Sequence, residues 1–242
     1  MPSDDAASRS RRDRRLARYD QLRAERPHLF ANPPGAAYEI VFDRELQNRV
    51  ADGAAAALRA AGKPTDYGDV GVIYEDRYVI IVRDAVRFLS GDLGPYIRSV
   101  PAVLGVGAAV LPVFADGRML LVRHFRHELR TWQWEVPRGF AEPDADGAAT
   151  AGRELEEEVG LSVEKVELLG RVASDGGADE IYLARLQASG PPDEIPLDAV
   201  REGIDERRLV TRQDLAAMIA SGEVTDHYLL AAFAFATAKG LL

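Results

Sequence analysis

The sequence predicts an α/β protein, and three observations carry that class. Residues 106–114 and 118–123 are apolar, strand-like runs joined at Asp116 and Gly117, the chemistry of a hairpin turn. Ala148, Ala151, Leu155 and Val159 recur at steps of three or four residues, one apolar stripe of a helix that Gly160 is placed to end. A second stripe, Leu46, Val50, Ala54 and Leu58, follows the N-cap candidate Asp43 and stops at Gly62-Lys63-Pro64, predicting a helix over 43–61.

Taken in order, the chain begins with a basic segment. Arg9, Arg11, Arg12, Arg14, Arg15, Arg18, Arg23 and Arg26 crowd it, interrupted by Asp13, Asp20 and Glu25, while Leu16, Tyr19 and Leu22 recur at three-residue steps. Residues 1–35 therefore read as a basic, partly disordered N-terminal arm leading into a helix that docks on the body or on a second subunit. Pro33-Pro34-Gly35 breaks the chain after it. Residues 36–100 read as an extension of one helix plus strands at 70–74 and 77–83, and residues 101–242 as the main domain, closed by helices near 214–221 and 226–239.

Composition excludes several classes. A net charge of −9 over 242 residues argues against general nucleic-acid binding. The absence of cysteine removes a disulfide framework, a thiolate metal site and a cysteine nucleophile. The sequence has no apolar run of transmembrane length, and its polar start differs from a signal peptide, so a cytoplasmic protein away from membranes is expected.

The chemistry concentrates between Gly139 and Leu161. Glu154 and Glu158 lie one helical turn apart with Glu157 beside them. Like charges at that spacing destabilise a helix by a few tenths of a kcal/mol, so the cluster calls for positive charge. Mg2+ prefers carboxylate oxygens and binds phosphate oxygens at the same time. The whole run resembles the Nudix box, G-x5-E-x7-R-E-U-x-E-E-x-G-U, with Gly139, Arg153, Glu154, Leu155, Glu157, Glu158, Gly160 and Leu161 in register. Ala145 stands at the first glutamate position, between Asp144 and Asp146. Upstream, Arg123-His124-Phe125-Arg126 and Trp132-Gln133-Trp134-Glu135-Val136-Pro137-Arg138-Gly139 resemble the LLVRQYR and WELPAG segments of the ADP-ribose pyrophosphatase branch, with Arg138 where that branch usually has alanine.

This resemblance runs from about Val103 onward. It implies a Nudix fold, an α/β/α sandwich with a mixed sheet, preceded here by an N-terminal helix and a strand-rich extension that exchanges contacts across a homodimer. It implies Mg2+, with Mn2+ as a substitute, held by Glu154, Glu157, Glu158 and the Arg138 carbonyl. Glu202 is the expected partner of the attacking water, with Glu194 or Asp205 as replacements, and Glu157 and Arg153 join it in the catalytic set, Arg153 by fixing a box carboxylate. Arg126 would meet a phosphate; Glu135 would fix the loop or meet a base or ribose. The implied activity is hydrolysis of a nucleoside diphosphate linked to another moiety, ADP-ribose to AMP and ribose 5-phosphate being the lead. A nucleotide-binding sensor without turnover, which Ala145 and the basic segment favour, and a nucleoside triphosphate pyrophosphohydrolase are the alternatives. Isopentenyl diphosphate isomerases share the fold but use a cysteine, and this chain has none.

Overall fold

The computed structural model describes residues 4–103, 105–140, 145–174, 177–188 and 190–242. Asp144, Asp175 and Gly176 lie outside them. The chain divides into two compact units, Met1–Val103 and Leu104–Leu242.

The first unit contains α1 (Asp4–Glu25), β1 (Tyr38–Ile40), α2 (Arg44–Ala60), β2 (Gly71–Glu75), β3 (Val79–Phe88) and β4 (Leu93–Pro101). Its antiparallel sheet is built on β3, which pairs with β4 along one edge and with β2 and β1 along the other. Within residues 1–35, read as a basic arm leading into a docking helix, residues 4–25 form helix α1, and its three-residue stripe is buried: Leu16, Tyr19 and Leu22, the last two against Ile80 and Val82. Several of its arginines are engaged within the unit. Arg11, Arg12 and Arg15 approach the carboxylate of Asp69 at 2.9, 3.4 and 2.8 Å, and Arg83 donates to the Asp69 carbonyl at 2.9 Å. The Tyr19 hydroxyl and Arg98 likewise donate to the buried Asp84. Asp43 caps α2, its side chain accepting from the Leu46 amide at 2.9 Å.

The second unit contains β5 (Ala108–Phe114), β6 (Met119–Arg126), β7 (Thr131–Glu135), β8 (Arg138–Gly139), α3 (Gly147–Val159), β9 (Val166–Ser174), β10 (Gly177–Leu186), α4 (Leu197–Glu202), β11 (Ile204–Val210), α5 (Arg212–Ser221) and α6 (His227–Ala238). The sheet runs β11-β6-β5-β10-β9, with β7 beside β6 and β8 beside β5. It is mixed, because β10 runs parallel to β5 while the other pairs are antiparallel. Alternation along β5 sorts the two cores. Ala108, Val110 and Phe114 pack with Ala151, Leu155 and Val159 of α3 and Ala199 of α4, whereas Ala109, Leu111 and Val113 pack with Leu215 of α5 and Leu229, Ala232 and Ala236 of α6. The result is an α/β/α sandwich. Among the described residues no helix is long and apolar enough to cross a membrane.

Candidate active site

The site is assembled where α3 meets β8. Asp146 caps α3, accepting from the Ala149 amide at 2.8 Å, and Gly160 closes it in the left-handed region at φ 77°. With Ala151, Leu155 and Val159 locked into the core, the helical period carries Glu154 and Glu158 inward as well, to 5% and 2% exposure, and leaves Glu157 at the surface. Gly139 is what lets β8 lie against them: a Cβ there would fall 1.9 Å from Glu154 Oε1. Any side chain at 139 would collide with this carboxylate.

These carboxyls are short of positive charge. Burial pushes Glu154 up to about 7; Arg153 opposes the shift and Glu157 and Glu202 add to it. Glu158 is driven well above the usual carboxylate range by burial and then by Glu154, against the pull of Arg126, with Glu202 and Glu135 contributing further. Glu158 Oε2 is buried with no hydrogen-bond partner among the described residues. Arg153 donates to Glu157 at 2.6 Å, to Glu154 at 2.5 Å and to the Phe140 carbonyl at 3.1 Å. Among the described residues, no three acidic, histidine or cysteine groups converge as a finished metal shell. The donor set nevertheless fits a hard divalent cation: carboxylate oxygens, one of them orphaned, held against a glycine cradle and repelling one another.

Around this centre the sequence-predicted residues fall into two groups. Arg126 and Glu135 face each other as a forked ion pair, Nε donating at 2.7 and 3.0 Å, so both are largely engaged with one another. Arg138 shares the same carboxylate, its Nε donating to Glu135 Oε2 at 3.2 Å. Val110 donates to the Pro137 carbonyl at 2.9 Å. The neighbouring Ala109–Arg138 pair is therefore the non-bonded kind, and the Arg138 carbonyl points away from β5.

Glu202 ends α4, and its carboxyl is close enough to raise both Glu154 and Glu158. Its backbone is stitched to β6. Gly203, at φ 100°, turns the chain so that its carbonyl accepts from the Phe125 amide at 3.0 Å, while His124 Nε2 contacts the Glu202 carbonyl at 3.0 Å. A carbonyl only accepts, so Nε2 carries the hydrogen. Burial, then the charge of Arg126, lowers the His124 pKa and so favours the neutral ring. Of the two replacements, Asp205 is tied to Arg123 by bonds of 2.9 and 2.7 Å, and Glu194 lies exposed in a loop. Three neighbours escaped the sequence reading as site residues: Asp226, Tyr228 and Asp179. Asp226 was legible only as a helix start.

A family model described as NUDIX domain matches residues 103–233, more than half of the chain. The ADP-ribose pyrophosphatase of Bacillus subtilis (strain 168) is 32% identical over 124 residues, 49% of this chain and 64% of that protein, so the chain spans somewhat under two thirds of that relative's length. The methanol dehydrogenase activator of Bacillus methanolicus is 31% identical over 164 residues, covering 60% of this chain and 86% of that one. A crystal structure of an ADP compounds hydrolase superposes with a TM-score of 0.54 at 17% identity, over 70% of this chain and 91% of the other, which is a likeness of fold. With the box spacing, the glycine-cradled glutamates and a family match across the second unit in agreement, this chain belongs to the NUDIX domain family.

Proposed function

We propose that the protein hydrolyses the diphosphate bond of a nucleoside diphosphate linked to another moiety, with ADP-ribose as lead substrate and AMP and ribose 5-phosphate as products. The observation that carries this reading is the buried, mutually repelling Glu154–Glu158 pair with an orphaned oxygen. Such a pair is costly unless a cation completes it. Glu154, Glu157, Glu158 and the Arg138 carbonyl would hold Mg2+ or Mn2+; when bound, the ion neutralises phosphate charge and lowers the pKa of water. The ion pair with Glu135 keeps the Arg126 charge close to Glu158. Glu202, its carbonyl held by His124 and the following Gly203 carbonyl by the Phe125 amide, orients the attacking water and takes its proton. The named activity of the Bacillus subtilis relative supports the choice of ADP-ribose.

The same proposal includes a homodimer formed through the first unit, whose sheet leaves Tyr38, Tyr74, Tyr96 and Ile97 exposed, and a cytoplasmic location, which suits a cysteine-free chain. One observation favours a second reading, a nucleotide sensor without turnover: Arg153 bridges Glu154 and Glu157 in a box whose first glutamate is Ala145. Incubation with Mg2+ or Mn2+ and a panel of ADP-ribose, nucleotide sugars, NADH, diadenosine polyphosphates and nucleoside triphosphates separates the two. Release of AMP and a sugar phosphate is the expected result; binding without product across the panel would overturn the enzyme reading in favour of the sensor.

A further inference from the structure

Arg138 replaces an alanine usual in the segment it resembles, and its side chain has a specific set of contacts. Nε donates to Glu135 Oε2 at 3.2 Å, Nη2 lies 3.8 Å from Asp226 Oδ2, and the guanidinium carbon sits 4.6 Å above the centre of the Tyr228 ring. Both carboxylates are buried. Each partner is itself fixed. Glu135 is gripped by Arg126. Asp226 accepts from the Leu229 amide at 2.8 Å as the cap of α6. The Tyr228 hydroxyl donates to Asp179 Oδ2 at 2.5 Å. One side chain thus ties β8 to β7 and to the start of α6, and through Tyr228 to β10.

The backbone at 138 needs such a tie. β8 is two residues long, and the register leaves the Arg138 carbonyl outside the ladder with β5. The peptide that carries this carbonyl continues into Gly139, whose Cα is pressed against Glu154. A planar guanidinium can fork between two carboxylates and stack on a ring at once; a lysine ammonium cannot reproduce that geometry.

We propose that Arg138 is a positioning residue whose guanidinium, clamped by Glu135, Asp226 and Tyr228, aims its own backbone carbonyl at the divalent cation. This rests on the metal-dependent reading given above. Groups that orient a metal ligand typically change metal affinity by about 10–100-fold when removed.

The test is equilibrium Mn2+ binding to the full chain, with free Mn2+ followed by electron paramagnetic resonance, beside thermal melting of each variant. Arg138→Ala should weaken Mn2+ binding at least about tenfold, and Arg138→Lys should recover only part of the loss. A role confined to stability would lower the melting temperature and leave Mn2+ affinity unchanged, and that result in Arg138→Ala overturns the proposal. Should Arg138→Ala melt below the assay temperature, Tyr228→Leu carries the test, with parental affinity again the overturning result. Glu158→Gln separates the two failures. If it too binds Mn2+ like the parent, the metal site itself is misassigned; if it loses Mn2+ while Arg138→Ala does not, only the positioning role falls.

Discussion

The two units both bury carboxylates, and they surround them in opposite ways. In the first unit Asp69 is 1% exposed and meets three guanidiniums on its carboxylate, while Asp84 meets Arg98 and the Tyr19 hydroxyl. In the second unit Glu158 is 2% exposed, leaves one oxygen without a partner among the described residues, and has Glu154, Glu202 and Glu135 acting on it against Arg126 alone among its main influences. A buried charge compensated by the chain itself joins elements together: the guanidiniums of α1 reach a residue more than fifty positions away in sequence. A buried charge left short of compensation is unfavourable in the bare protein and favourable once a cation arrives. The difference separates an assembly contact from a binding site without reference to any relative.

The largest effect expected from this contrast is at Glu158. Glu158→Gln should reduce turnover in Mg2+ by about a thousandfold or more, since a lost ligand forfeits several kcal/mol of charge stabilisation. The metal-free protein should melt no lower than the parent, because a neutral isostere replaces an uncompensated carboxyl. Steady-state kinetics with melting curves check both, and retained turnover would remove Glu158 from the metal site. Asp69→Asn should do the reverse. It breaks a buried ion network and should cost about 3 kcal/mol in urea denaturation, the low end for such pairs because the guanidiniums keep some contact with water. Turnover per folded molecule should not change; a matching fall in kcat would mean that Asp69 is more than an assembly contact.

How far the sequence foretold this contrast differs between the two sides. The acidic centre was legible, because a helix converts spacing into direction: once Leu155 and Val159 are core, Glu154 and Glu158 must follow them inward and Glu157 must not. The cap at Asp43 and the hairpin at Asp116-Gly117 were legible for the same local reason. The arginine network was not. The stripe Leu16, Tyr19 and Leu22 announced a docking helix, but nothing within a helical turn of Arg11 or Arg15 indicates that Asp69 awaits them. Arg126 was read against a phosphate, and Glu135 as fixing the loop or meeting a base or ribose; their mutual ion pair could not be read, because it depends on how β6 and β7 lie together. Asp205 stood as a replacement for Glu202, and only the pairing of β11 with β6 shows it tied to Arg123. Contacts set by register between distant strands leave no periodic trace in the sequence.

The acidic centre also predicts how stability responds to pH. Glu154 is held up to about 7, and Glu158 is driven well above the ordinary glutamate value near 4.5. Between those values the folded metal-free protein holds protons that the unfolded chain has released, so its stability falls as pH rises from about 4.5 through 7. Melting temperature in the presence of a chelator should decline across that window by a few degrees, and saturating Mg2+ should flatten the decline, since the ion takes the place of the protons. A chelated protein with a flat profile there would mean that Glu154 and Glu158 find compensation inside the chain after all, which would erase the contrast with Asp69.

The smallest effect is expected at Ala145, two residues ahead of the first residue of α3. Ala145→Glu places an anion beside a helix N-terminus, a favourable location worth about 0.3–1 kcal/mol. It also offers a further carboxylate to Arg153, whose guanidinium now lies on Glu154 and Glu157. Those two carboxylates are the ones the cation needs, so any share of Arg153 drawn toward position 145 should favour metal binding. The expected outcome is an Mg2+ activation constant lowered by about two- to fivefold, the range equivalent to that free energy. An unchanged constant would mean that Arg153 yields Glu154 and Glu157 to the ion at no measurable cost. The shortage of positive charge around Glu158 would then govern the affinity of the centre by itself.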